Sequence, residues 1–481
     1  MTVIGAGLGG LSAAIHAAHR GAEVTLLEAG PAPGGKAGVV EVEGIQIDTG
    51  PSLLTLPEIF EELWAMAPKP GTPRPELRVH GGHFLYRFHD GTSFRVHPEP
   101  AETLAEAERV FGATARNELC AYLEYAERIW TEAAPHFVMG QAPSMTSIMK
   151  LGVSGLSSVR HIDPMRTMWA AIKKQVQDPR LRWILARYAT YNGSDVRKAP
   201  ATLNCIAHVE MGIGGLGVQG GVQAVVHSLV DIARDLGVVI DYERPVRGLR
   251  RRGARVTGVE TDDGPVEADA VVANCDANHV RRWVDIPKAK GEVPSMSALN
   301  LVIRARRRAD RPAHQVLFPE AYLQEFEDIF DRDRHPVNPT VYMCAPEKAH
   351  GRTGWPEDEP LFVMANAPAE PKGQKRSPRI HEGLEARMLE RLMAFEMIDS
   401  DDRVVWRRTP ADLAARFPDT RGAIYGAASN GTWSAFQRPS NRVKGVRSLY
   451  LASGSAHPGG GMPLAVLSGK EAVRCLWEDV G

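Results

Sequence analysis

The chain has little cysteine. Five residues, Cys120, Cys205, Cys275, Cys344 and Cys475, are scattered through 481 positions. With no CxxC pair and no His/Cys cluster, this spacing argues against a disulfide framework and a metal site, and it fits a reducing compartment. A long hydrophobic run is also lacking, so no membrane-spanning helix is expected. Met1 leads straight into a β-branched run, which predicts no leader peptide and leaves room for a start upstream. Net charge is nearly absent too: 57 Lys and Arg against 58 Asp and Glu give −1. That excludes a global field for nucleic acid. The local runs Arg250-Arg251-Arg252 and Arg306-Arg307-Arg308 read as turn and strand-end surface. Hydrophobic content of 43% and charged content of 24% are ordinary for a soluble protein. The length allows roughly two or three domains.

What the chain does have is glycine in informative places. Thr2-Val3-Ile4 breaks into Gly5-Ala6-Gly7-Leu8-Gly9-Gly10 and then into an alanine-rich helical pattern. This is the strand–turn–helix of a dinucleotide-binding unit. Gly5 makes the turn, Gly7 admits a pyrophosphate, Gly10 allows close helix–strand packing, and the helix N-terminus faces the phosphates. Val24 through Glu28 reads as a second strand ending in a carboxylate, roughly 20 residues on, suited to the adenosine ribose hydroxyls. Gly34-Gly35-Lys36 follows, a second glycine turn with a cation beside the expected pyrophosphate. Nicotinamide dehydrogenases usually lack this element, so the expected nucleotide is FAD. A third strand–glycine turn–helix lies near the C-terminus: Ser448 through Ala452, Ser453 through Gly461, then a helix opening at Met462-Pro463. Its dipole would stabilise negative charge on reduced flavin.

These elements predict an α/β fold, an FAD-binding Rossmann-type domain of the glutathione-reductase-like kind with an inserted α+β substrate domain. Residues 1–78, 214–285 and 440–481 are assigned to the first, and 79–213 and 286–439 to the second. Residues 84–97 alternate around Asp90-Gly91, as in a hairpin. Glu102 to Ala134 follows one helical period. Residues 137–176 are methionine-rich and amphipathic, readable as flexible core packing or as a substrate-gating, membrane-facing region.

The chain resembles the bacterial phytoene-desaturase family of carotenoid dehydrogenases over nearly its whole length. The resemblance rests on Asp48-Thr49-Gly50-Pro51-Ser52, Tyr191-Asn192-Gly193-Ser194, Gly220-Gly221-Val222 and Leu449 through Pro463. Ser455 stands where general flavin amine oxidases usually carry an acidic residue. Two stretches, Asp48 through Pro57 with Phe60 to Leu63, and Gly422 through Ser429, look closest to the hydroxycarotenoid 3,4-desaturase branch. Gly454 through His457 and Asn430 through Trp433 depart from that branch, which keeps a phytoene or ζ-carotene desaturase open.

The resemblance implies FAD, a long polyene substrate and oxygen or a quinone as electron acceptor. A carotene offers nothing polar to grip, so a long apolar tunnel with few charged residues is expected, binding by burial at about 25 cal/mol per Å². Hydride and proton would leave adjacent carbons, and conjugation would spread the cationic character, so a strong base is unnecessary. Gly5, Ala6, Gly7, Gly10, Glu28, Gly35 and Lys36 are the candidates for the ADP half of FAD, and Gly454 and Met462 for the flavin side. His457 is the titratable side chain expected near the ring, as a proton acceptor or as a turn histidine bonding backbone. Asp48 either orients backbone or caps a turn. The protein is expected to be cytoplasmic and peripherally attached to the membrane. Competing readings are a flavin amine or porphyrinogen oxidase with Tyr425 and Trp433 around an amine, a lipid-binding escort of the GDP-dissociation-inhibitor type, and a flavin-dependent isomerase.

Overall fold

The computed structural model describes residues 1–142, 162–287, 292–431 and 438–481. Five short strands form an all-parallel sheet in the order Leu449–Leu451, Val271–Ala273, Thr2–Ile4, Thr25–Leu27, Val239–Asp241. All five lie within 1–78, 214–285 and 440–481. Because the strands are parallel, their carboxyl ends share one edge, where open α/β sheets bind ligands. The side chains of Leu449–Leu451, Val271–Ala273 and Thr2–Ile4 are wholly buried, as a sheet covered on both faces requires, while the edge strand Val239–Asp241 is partly exposed.

Helices Leu8–His19, Val222–Asp235 and Met462–Val480 cover this sheet and share its main core with Val3, Leu26 and Val272. The first and last cross closely, through small residues. A side chain at Gly469 would collide with the Gly9 carbonyl, and Ser12 Oγ donates to the Val466 carbonyl at 2.7 Å. This crossing brings the C-terminal glycine loop over the N-terminal one.

A second, mostly antiparallel sheet has seven strands, in the order Arg403–Arg408, Ser297–Arg306, Asp358–Ala367, Val341–Cys344, His314–Leu317, Phe84–Arg87, Ser93–Val96. The hairpin around Asp90-Gly91 is its edge. Rings of Phe84, Tyr86, Phe88 and Phe318 stack along one face. The helical pattern from Glu102 to Ala134 proves to be two helices, Pro100–Phe111 and Ala113–Ala133. Gly112 separates them at φ +90, a turn that the apolar period runs across without a break. The basic runs carry ion pairs: Arg250 pairs with Glu260 and Glu267, Arg307 with Glu347, and Arg308 with Asp399. Of the methionine-rich segment, Met145 and Met149 lie outside the described residues, and Met139 and Met165 are exposed beside that stretch.

Candidate active site

The three glycine turns meet at the carboxyl edge of the parallel sheet. Gly5 follows strand Thr2–Ile4 and donates its N–H to the Leu27 carbonyl at 2.8 Å. A Cβ on Gly10 would run into the Gly5 carbonyl, so only glycine lets the helix start against the strand. Gly34 has φ +112 and donates to the Ala6 carbonyl at 2.8 Å. Gly35 approaches Gly7 so closely that its Cβ would lie 3.4 Å from the Gly7 Cα. The Glu28 carboxylate ties both turns together, accepting from Ala6 N at 2.7 Å and from Gly30 N at 2.8 Å. Asn274, at the end of strand Val271–Ala273, joins the third. Its Oδ1 would stand 2.6 Å from a Cβ on Gly7, and its Nδ2 donates to the Ala452 carbonyl.

Around this junction the structure gathers charge. Lys36 donates from Nζ to the Ile424 carbonyl and lies near Arg408, Arg438 and Asp276. Burial, reinforced by the two arginines, lowers its pKa. Arg438 donates to the carbonyls of Tyr425 at 2.8 Å and Gly454 at 3.0 Å, and to Asn192 Oδ1 at 2.9 Å. Burial brings its pKa down to about 10, and that of Arg408 likewise to about 10. Lys36, Tyr425 and Arg438 are half-buried, side by side next to the third turn.

A profile for flavin containing amine oxidoreductases matches residues 8–476. The hydroxyneurosporene desaturase of Rubrivivax gelatinosus is 32% identical, over 99% of this chain and 93% of its own. The 1-hydroxycarotenoid 3,4-desaturase of Flavobacterium sp. (strain P99-3) is 30% identical, over 97% of each chain. The chain belongs to this flavin containing family, in its carotenoid desaturase branch. An oxidoreductase structure from Methanosarcina mazei superposes with TM-score 0.60 over 99% of both chains at 17% identity, which shows the shared fold.

The cofactor of this family member is FAD, and the residues present fit it. Two buried acceptors lack a partner among the described residues, Gln223 Oε1 beside Gly34 and Asp276 Oδ2 at the end of the sheet. Both suit the hydroxyls of a flavin nucleotide. The excess of buried cations suits its pyrophosphate. Gly454, whose carbonyl Arg438 holds, lies against Gly460 across the third turn, and Met462 opens the helix that follows. Among the described residues no cluster could hold a metal ion.

His457 is engaged with backbone. It is buried, and its Nε2 lies 2.9 Å from the Gly140 carbonyl, so that nitrogen donates. Burial lowers its pKa and keeps it neutral. Asp48 acts at a distance in sequence, capping helix Val222–Asp235 by accepting from Val222 N at 3.1 Å and Gln223 N at 3.2 Å, with Arg352 at 3.0 Å. A side chain at Gly221 would block it. Ser455 Oγ accepts from Ala277 N at 2.8 Å. Trp433 lies outside the described residues.

The expectation of few charges fails beyond the flavin end as well. Arg187 and Glu210 sit 3.8 Å apart inside the aromatic core, and Arg187 also donates to the hydroxyls of Tyr86 and Tyr191, both at 3.1 Å. Tyr188 and Tyr191 donate to Glu210. Periodicity conceals such groups, because it registers where apolar residues recur and not which polar ones pair inside. The one signal available was the tyrosine-rich run Tyr188 to Tyr191 after Arg187.

Proposed function

We propose that the protein is an FAD-dependent desaturase of linear carotenoids, with the C-3,4 bond of a 1-hydroxylated end as the favoured target. The observation that carries this reading is the cationic wall that Lys36 and Arg438, held on the Ile424, Tyr425 and Gly454 carbonyls, form beside the glycine cradle. That cation-rich wall disfavours an ammonium substrate and suits a neutral hydrocarbon whose electrons pass to a group that becomes negative. The names of the full-length relatives support the substrate class. Ser455, satisfied by the Ala277 amide, supports it against an amine oxidase.

FAD, when bound, supplies hydride acceptance. The chain's own residues do the rest. Residues 1–78, 214–285 and 440–481 hold the nucleotide: Gly5, Ala6, Gly7, Gly10, Gly35 and Lys36 at the pyrophosphate, Glu28 at the ribose, Gly454 and Met462 at the ring. Residues 79–213 and 286–439 bury the polyene and exclude water. Arg408 and Arg438 stabilise the charge that develops on reduction. His457, neutral and donating to Gly140, positions backbone of the third turn. Electrons leave to oxygen or a quinone. The polyene dissolves in lipid, and exposed Met139 (42%) and Met165 (73%) border residues 143–161, which supports peripheral membrane contact from the cytoplasmic side. No helix among the described residues is long and apolar enough to cross a membrane.

The test is expression in cells that accumulate either phytoene or a 1-hydroxylated neurosporene. A red-shifted pigment two hydrogens lighter is expected from the hydroxylated one. Conversion of phytoene alone would move the assignment to a phytoene desaturase, and no conversion of either would refute desaturation.

A further inference from the structure

We propose that the Arg187–Tyr191–Glu210 cluster is a polar subsite that takes the tertiary hydroxyl of a 1-hydroxylated carotenoid end, beside the bond being oxidised. This rests on the desaturase reading above and names the residues that would set its preference.

A buried ion pair is an expensive occupant of an aromatic core. Well-packed apolar replacements of such pairs are often neutral or stabilising, so the pair invites a functional explanation. Here the guanidinium also lies over the rings of Phe84, Tyr86 and Tyr191, at 4.9, 5.6 and 5.0 Å. Arg187, Tyr86, Tyr188 and Glu210 are buried, whereas Tyr191 keeps accessible surface. Tyr191 is thus the member that a substrate can touch.

Its position is equally specific. The next residue, Asn192, accepts from Arg438, the same guanidinium that holds the Tyr425 and Gly454 carbonyls. One residue further, a Cβ on Gly193 would lie 2.9 Å from the Tyr425 ring. Tyr191 therefore adjoins the wall of the flavin cradle. C1, which carries the hydroxyl, lies two bonds from C3, about 2.5 Å at ordinary bond lengths. A group that reads this hydroxyl must accordingly stand near the flavin, and Tyr191 directly precedes Asn192, which Arg438 ties to the third turn.

The hydrogen-bond inventory leaves room for one more partner. A phenol offers one donor and two lone pairs. The Tyr191 hydroxyl donates to Glu210 and accepts from Arg187. Its remaining lone pair can accept the substrate O–H. Arg187 and Glu210 are positioning residues: they fix the phenol's orientation without touching the polyene.

The experiment uses the FAD-loaded full chain, titrated with 1-hydroxylycopene and with lycopene. Binding is followed by the carotenoid absorption band, and turnover is measured separately. The wild type is expected to bind the hydroxylated carotenoid about tenfold more tightly. Tyr191→Phe should erase that preference and leave lycopene binding within twofold. Glu210→Gln should raise KM for the hydroxylated substrate more than it lowers kcat, and it gives a second reading should Tyr191→Phe lose flavin. Equal wild-type affinity for both carotenoids would overturn the subsite, as would an equal loss for both in the variants. A binding preference that Tyr191→Phe removes, with neither carotenoid oxidised, would uphold the subsite and refute the desaturase reading.

Discussion

Replacing Glu28 by glutamine is expected to weaken FAD binding roughly thirtyfold. The carboxylate accepts two backbone N–H groups, Ala6 of the first turn at 2.7 Å and Gly30 after the second strand at 2.8 Å. A glutamine amide has a single acceptor oxygen, so one N–H would face an NH₂ group instead. An unpaired donor in a part-buried site costs about 1–3 kcal/mol, and 2 kcal/mol is roughly thirtyfold in affinity. The Ala6 amide belongs to the first turn itself, so relaxation there displaces the cradle rather than a distant loop. The assay is titration of apoprotein with FAD, read by quenching of flavin fluorescence, with circular dichroism to verify the fold. An FAD dissociation constant within twofold of the parent would refute the role given to Glu28.

Gly10→Ala should cost about 1–3 kcal/mol, because the new methyl meets the Gly5 carbonyl, a backbone atom that cannot rotate away; flavin content and melting temperature should both fall, and an unaltered holoprotein would contradict it. Lys36→Met should weaken FAD binding about tenfold, by removing a cation beside the pyrophosphate. Titration of apoprotein with FAD measures it, and an unchanged dissociation constant would remove Lys36 from that role. Burial lowers the pKa of His16 and His350 to about 4, and of His314 and His335 to about 3, from the ordinary 6.5. The unfolded chain then binds more protons below pH 6.5. Stability from these four groups is fully present above that pH and should fall as pH drops toward 4, which urea unfolding at pH 7.5 and 5 would detect.

Local chemistry was legible from the residues alone. A glycine turn, the strand before it and the helix after it lie within one βαβ unit, whose right-handed crossover leaves little choice of geometry. Gly5 to Gly10, Glu28 and the Gly34-Gly35 turn therefore announce the first strand–turn–helix junction, and the glycine turn before Met462 announces another. The helix break at Gly112 was within reach, since a glycine inside a helical period is a known exception.

Other features were decided only when the chain closed on itself. Asp48 caps a helix 174 residues away. Lys36 reads locally as a loop lysine and becomes a buried cation because Arg408, Arg438 and Asp276 arrive from three other segments. His457 turns to Gly140, and Arg187 finds Glu210 inside an aromatic core. The physical reason is common to all of them. Backbone turns are governed by neighbours in sequence, whereas desolvation and charge pairing are governed by neighbours in space.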